Sequence, residues 1–354
     1  MSRFYSYRNA NLVPYTPGEQ PKVLNVTKLN TNECPFPPSE KAWAFAREHI
    51  RPLNLYPEIQ CIDVRRAIAE LHDIEPDNII LGNGSDELLN FAFMTFCDDR
   101  RAVAYPNISY GFYPVYADLN HVPALEIPLR EDFSIAPEDY FDLGRNIFIA
   151  NPNAPTGMAL SPDQVEEILT HNRDHVVVID EAYVDFGGQT CIPLIKKYDN
   201  LLVIQTFSKS RSLAGGRLGF AAGDKALIAD LNIIKYSTNP YNINSMTLAI
   251  GLGVLLDEET RIANCRTIME NRAYTAAELE KLGFTVLPSC ANFIFAKTGA
   301  IDGKALYAKL KERGVLIRHF DKPEIWAWNR ITIGTREQMD ILLTNIREIL
   351  EETP

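Results

Sequence analysis

The sequence predicts an α/β protein: a large domain with a mostly parallel sheet sandwiched by helices, followed by a smaller C-terminal α+β domain. Three observations carry this reading. From about Ala42, short apolar runs alternate with longer amphipathic stretches, as in NIIL then SDELLNFAFMTF, the pattern of strands joined by crossover helices. Runs such as HVVVIDEAY and NLLVIQTF are continuously apolar rather than alternating, as strands covered on both faces require. A chain of 354 residues, 46% hydrophobic and 23% charged, is long enough for one large core and one smaller one.

Taken in order, residues 1–35 include YTPGEQPK and LNTNECPFPP, rich in Pro and Asn and without helical or strand periodicity, and read as an extended arm. Residues 36–245 form the large domain. Within it, SPDQVEEILTHN starts with Ser161 as a cap, Pro162 suited to the first turn and Gln164 completing a capping box, so it is a helix between two strands. Residues 246–354 form the small domain, with a largely helical stretch from SMTLAIGLGVLL to RAYTAAELEKLG, then ANFIFAK, a helix, GVLIRHF, NRITIGT and a final helix ending IREILEE.

A formal charge of −11, from 35 Lys and Arg against 46 Asp and Glu, makes a phosphate backbone a poor partner, so no nucleic acid is expected. Six scattered cysteines without a C-x-x-C pair argue against a metal site and a disulfide framework. No segment approaches the roughly 20 apolar residues that span a bilayer, so a cytoplasmic protein without a membrane partner is expected.

Five stretches carry chemistry. In TFSKSRSLAGGRLGF, Lys209 follows a buried strand among Thr206, Ser208, Ser210 and Ser212, with Arg217 beyond; alone, such a lysine more often snorkels to solvent. In VVVIDEAYVDF, Asp180 ends an apolar strand, where a carboxylate needs a cation or hydrogen-bond donor, although such an Asp also caps loops; Tyr183 stands close by. In LGNGSDELLNF, Gly82 and Gly84 precede Ser85 and Asp86 at a helix start, either a phosphate cradle or a plain cap. The third glycine of a dinucleotide fingerprint is missing. NPNAPTG has two X-Pro bonds, Asn151-Pro152 and Ala154-Pro155, suited to a rigid turn with room for one cis bond. Arg330 opens NRITIGT, where its planar fork can meet a carboxylate or a surface acid.

The ordered set resembles the fold type I pyridoxal-phosphate aminotransferases, and within them the histidinol-phosphate aminotransferase group of histidine biosynthesis, over nearly the whole chain. The resemblance rests on YTPGEQPK, LNTNECPFPP, LNLYPE, GNGSDE, NPNAPTG, DEAYVDF, TFSKSRSLAGGRLGF, ANFIFAK, GVLIRHF and NRITIGT. It implies pyridoxal 5'-phosphate bound covalently by Lys209, with Asp180 on the pyridine nitrogen and Tyr183 on the ring hydroxyl. Tyr110 would lie against the ring, and Ser85, Asp86, Ser208 and Arg217 would hold the phosphate. Tyr56 would reach the phosphate of a neighbouring subunit, which implies a homodimer with shared sites. Arg330 would hold the substrate carboxylate, and Arg318 the substrate phosphate with Tyr15 closing over it.

One position departs: many relatives have Asn before Pro-Thr-Gly, and here that place is Ala154, leaving Asn153 next door for the ring-hydroxyl contact. The implied reaction interconverts histidinol phosphate and its 2-oxo counterpart, imidazole acetol phosphate, with glutamate and 2-oxoglutarate as the second pair. An aromatic amino acid aminotransferase or a phospho-amino-acid decarboxylase shares the scaffold. A pyridoxal-phosphate module of a transcription regulator would need a basic DNA-reading domain, which these motifs lack. A nucleotide-binding dehydrogenase is weakened by the missing glycine.

Overall fold

A computed structural model describes residues 2–20 and 26–353. After a 3-10 turn at Tyr7–Asn9, the N-terminal segment enters β1 (Thr27–Lys28), then α1 (Glu40–His49) and α2 (Ile62–His72). Next come β2 (Ile79–Gly82), α3 (Ser85–Phe96), β3 (Val103–Pro106), α4 (Tyr113–Asn120), β4 (Ala124–Ile127), β5 (Asn146–Ala150), α5 (Pro162–His171), β6 (Val177–Asp180), β7 (Leu201–Thr206) and β8 (Gly219–Gly223). Three helices follow: α6 (Lys225–Thr238), α7 (Ser245–Leu255) and α8 (Glu258–Lys281). The chain ends with β9 (Phe284–Val286), β10 (Phe293–Thr298), α9 (Gly303–Glu312), β11 (Val315–Leu316), β12 (Arg318–His319), β13 (Asn329–Thr332) and α10 (Arg336–Glu351).

Seven strands form the large sheet in the order β2-β8-β7-β6-β5-β3-β4. All its pairs are parallel except the two made by β8. Successive residues of the apolar runs point to opposite faces. Ile147, Ile149, Val177, Ile179, Leu201 and Val203 pack under α1, α2, α5 and α7, whereas Phe148, Val178, Leu202 and Ile204 pack under α3, α4 and α6. This two-sided cover explains why the runs lack alternation. The helix α5 begins as the sequence predicts, with Ser161 and Gln164 exchanging cap hydrogen bonds. Both X-Pro bonds of NPNAPTG are cis, where the sequence suggested room for one.

A four-stranded antiparallel sheet, β12-β13-β10-β9, is the centre of the smaller unit. It packs with α8, α9 and α10 around Phe293, Ile331, Leu342 and Ile346. Two boundaries differ from the sequence reading. The arm is not separate from the small unit: β1 pairs with β11, and Leu29 is buried in the small core. Backbone pairing rather than side-chain periodicity makes that two-residue strand, so composition concealed it. And α7, placed beyond the 245/246 boundary, belongs to the large core through Ala249, Ile250, Val254 and Leu255. The passage between the units falls instead between α7 and α8, near Asp257.

The contact of α7 with α1 depends on Gly253, where an added Cβ would lie 2.6 Å from the Ala42 carbonyl oxygen. Gly to Ala inside a helix ordinarily stabilises by about 1 kcal/mol, but here the helices would have to part. Gly253→Ala is expected to destabilise by about 1–3 kcal/mol, read as a lower denaturant midpoint; a midpoint at or above wild type would refute this account of the packing.

Candidate active site

Parallel α/β sheets open their crevices at the carboxyl ends of the strands, and here β6 and β7 deliver Asp180 and the turn bearing Lys209 to one cavity of about 340 Å³. The cavity is lined by Ser85, Asp86, Tyr110, Tyr183, Ser208 and Arg217 from the large unit and by Arg318 and Arg330 from the small one. Tyr15 covers it, stacked on Phe112 with ring centroids 4.2 Å apart. Of the predicted site residues, all but Asn153 and Tyr56 line this one cavity.

Lys209 Nζ donates to the Thr31 carbonyl at 3.1 Å. Burial of the amine, then the Arg330 charge, pushes it down to about 8. Asp180 is 5% exposed and accepts from the Ala182 amide at 3.2 Å and the Tyr113 hydroxyl at 3.3 Å. Burial, then the Asp86 charge, pushes Asp180 up to about 7. Among the described residues neither Lys209 nor Asp180 has an ion-pair partner.

At the start of α3, Gly84 (φ +79°) caps the helix without a side chain, leaving its first amides to a ligand. A Cβ on Gly84 would lie 2.6 Å from Arg217 Nη2, and one on Gly219 would lie 2.6 Å from the Ser85 nitrogen, so these glycines let the cradle close. The Asp86 carboxylate accepts from Tyr110 at 2.6 Å and from Arg217 at 2.9 Å. It thereby orients both, and only its backbone N–H is left for an anion.

Arg330 and Arg318 are direct cross-strand partners on β13 and β12, a like-charge placement that costs stability unless an anion answers it. Among the described residues their only protein acceptors are carbonyl oxygens: Asn30 for Arg330, and Thr16 and Pro17 for Arg318. Arg330 Nε is buried without a partner, and both guanidiniums lie over the Phe320 ring.

The family described as aminotransferase class I and II matches residues 25–346. A histidinol-phosphate aminotransferase of Brachyspira hyodysenteriae is 47% identical over 353 residues, covering 99% of this chain and 100% of that one. One of Lactococcus lactis subsp. cremoris is 45% identical, covering 96% and 95%. The solved structure of the histidinol-phosphate aminotransferase from Clostridium acetobutylicum superimposes with a TM-score of 0.84 at 23% identity, over 92% of this chain and 99% of that one, and shows the shared fold. The chain belongs to the class I and II aminotransferases.

Pyridoxal phosphate, implied by the sequence resemblance, fits the cavity of this aminotransferase on three counts. Asp180 offers a buried carboxylate lacking a cation, which a protonated ring nitrogen supplies. The α3 start, Ser208 and Arg217 offer donors to a phosphate. And Lys209 offers an amine with a depressed pKa, the state that attacks carbonyls.

Asn153 is the correction. Its side chain is spent on Ser109 (2.7 Å), the Ile108 carbonyl (2.9 Å) and Thr156 (3.2 Å), and it is buried away from the cavity, which Ala154 lines instead. The amide that reaches the Tyr183 hydroxyl, at 3.0 Å, belongs to Asn32, itself held by Thr332. Sequence reading absorbed Asn32 into the arm; the run of Asn in LNTNE was its only trace. Glu181 was missed too: buried, it accepts from Thr190 and the Cys191 amide at 2.6 Å and from Gln205 at 2.9 Å, pinning the loop that carries Tyr183. Tyr56 lies 78% exposed, stacked on Tyr241 at 4.3 Å and outside the cavity.

Because Asp180 is raised to about 7, the cofactor-free fold holds a proton there that the unfolded chain releases above about pH 4. Wild type should therefore lose stability relative to Asp180→Asn as pH rises through that window. Denaturant unfolding at pH 5 and pH 8 checks this; an equal gap at both would remove Asp180 as the titrating group.

Proposed function

We propose that the enzyme is a pyridoxal-phosphate-dependent aminotransferase of histidine biosynthesis, exchanging amino groups between histidinol phosphate and 2-oxoglutarate. The observation that carries the substrate assignment is the unanswered cross-strand pair Arg318 and Arg330, supported by the relatives named histidinol-phosphate aminotransferase. Histidinol phosphate has no carboxylate; its phosphate hangs from the amino-bearing carbon through one CH2–O link, where glutamate has its α-carboxylate. Two guanidiniums side by side meet either anion, with Arg330 serving carboxylate and Arg318 needed for the larger dianion.

When bound, the cofactor supplies the electron sink for the pair left at the amino-bearing carbon. Lys209 would hold it through Nζ and would accept the proton from that carbon, a role suited to an amine whose pKa is lowered to about 8. Asp180 would hold the ring-nitrogen proton. Tyr183, fixed by Asn32, would hydrogen-bond the ring hydroxyl, and Tyr110, fixed by Asp86, would face the ring. The Thr16 and Pro17 carbonyls, beside Tyr15, accept from Arg318 and tie the N-terminal segment to its guanidinium.

Lys209→Ala should abolish amino transfer and leave no cofactor attached after borohydride, read by protein mass; an adduct that persists moves the anchor elsewhere. Arg318→Ala should raise KM for histidinol phosphate by about tenfold or more while moving that for glutamate far less. Equal effects would return the phosphate to another group.

The assembly we propose is a homodimer. Tyr56, stacked on Tyr241, is exposed with its sequence neighbours Leu53 and Leu55, and from there it would complete the partner's site. Mixing Lys209→Ala with Tyr56→Ala should, after subunit exchange, restore about a quarter of wild-type activity, since half the dimers are mixed and each has one intact site. No recovery despite exchange would place Tyr56 outside the site. The cytoplasmic address suits six free thiols, which belong to a reducing compartment.

A further inference from the structure

A second cavity, of about 310 Å³, adjoins the first and shares Tyr15, Tyr110, Ala154, Arg318, Phe320 and Arg330 with it. A substrate clamped at the arginine pair has one further arm on its amino-bearing carbon, and this chamber is the adjoining space. The arm differs between the two substrates of an exchange: imidazolylmethyl in one, a two-carbon chain ending in carboxylate in the other. The distal carboxylate needs a cation of its own when the arginines are engaged with the nearer anion.

The chamber holds such a group. Lys322 lines it from the segment after β12, half-buried, and its ammonium has one protein acceptor among the described residues, the Asn107 carbonyl at 2.8 Å. No acid pairs with it, although its neighbour Asp321 pairs with Lys304. The one carboxylate lining the chamber, Glu126, is exposed on the edge strand β4 and forms no ion pair. An ammonium carries three donors, so two remain for a ligand while the first stays on Asn107.

We propose that Lys322 is a specificity-determining residue that binds the distal carboxylate of the dicarboxylic amino donor and its 2-oxo acid, in a chamber that takes the imidazole arm in the other half of the cycle. This rests on the reading of the arginine pair as the clamp for the nearer anion.

The test is calorimetric binding of glutarate and butyrate to the cofactor-loaded enzyme. The two probes share one carboxylate, and only glutarate has a second. Lys322→Ala should weaken glutarate about tenfold or more, the loss of a charge-assisted hydrogen bond, and leave butyrate unchanged; Lys322→Arg, which keeps the charge, should restore most of the difference. Glutarate unchanged in Lys322→Ala overturns the proposal, as does an equal loss for butyrate, the mark of a lysine that only ties its segment to Asn107. Equal affinity of the wild type for both probes overturns it as well. Neither probe involves histidinol phosphate, so failure of that substrate assignment, read as no turnover of histidinol phosphate by wild type, is a separate result.

Discussion

Asp180 is a carboxylate enclosed at the end of β6 with two neutral donors and no cation, and one strand over, the turn after β7 presents an amine equally without an ion-pair partner. Burial works against both charges, raising the one pKa and lowering the other, a cost that a bound cation and a carbonyl partner relieve. The parallel sheet makes this possible. Its strands end together, adjacent registers place Asp180 opposite Ile204, and the crossover helices exclude water from the strands beneath. Ion pairing between Lys209 and Asp180 themselves would cancel the two costs and leave nothing for a ligand to relieve.

The turn bearing Lys209 is held from behind. Ser210 bonds Asp185, Arg211 bonds Glu258, and Arg261 joins the two acids at 2.9 and 2.7 Å. Single surface pairs contribute little, but this chain of charges is partly buried and joins three segments: the Lys209 turn, the loop after Tyr183 and the first turn of α8. Nearby, the buried carboxylate of Asp257 accepts from Ser39 at 2.5 Å, so the two passages between large and small units are tied to each other. The lysine is thus fixed relative to the junction from which the small unit brings Arg318 and Arg330 to the cavity.

How much of this was legible in the sequence follows from what kind of force fixes each part. The large sheet and its helices are fixed by burial, which writes itself as apolar runs and amphipathic periods, and HVVVID, NLLVIQT and the capped α5 fell where expected. Asp180, Lys209 and the α3 start were legible because each stands directly at the end of such a run. Asn32, Asn153 and Glu181 were not, since their roles are set by hydrogen bonds to residues far away in sequence: Asn32 meets Tyr183 and Thr332. Asn153 is adjacent in sequence to the expected position, but its hydrogen bonds to Ser109, Ile108 and Thr156 hold it buried away from the cavity. The helix α7 was misplaced because it is apolar all round, and such a helix announces burial without saying against which core.

In the proposed reaction the arginine pair would set the terms of specificity. An aminotransferase discriminates among amines by differences in binding energy, yet its two half-reactions oblige one clamp to accept chemically different partners. A single rigid fork matched to a carboxylate would favour glutamate and reject the phosphate ester. Two guanidiniums on neighbouring strands, both resting on Phe320 and, among the described residues, bonded to protein only through carbonyls, would keep most donors for a carboxylate or phosphate to draw on from one or both. Discrimination must then come from the arm that the clamp does not touch. On the proposed reading, a cation and an exposed acid along the adjoining chamber would give that arm an environment able to answer either a carboxylate or an imidazole, while a purely apolar side chain entering it would leave Lys322 desolvated beside the Asn107 carbonyl, a cost that would disfavour such amines.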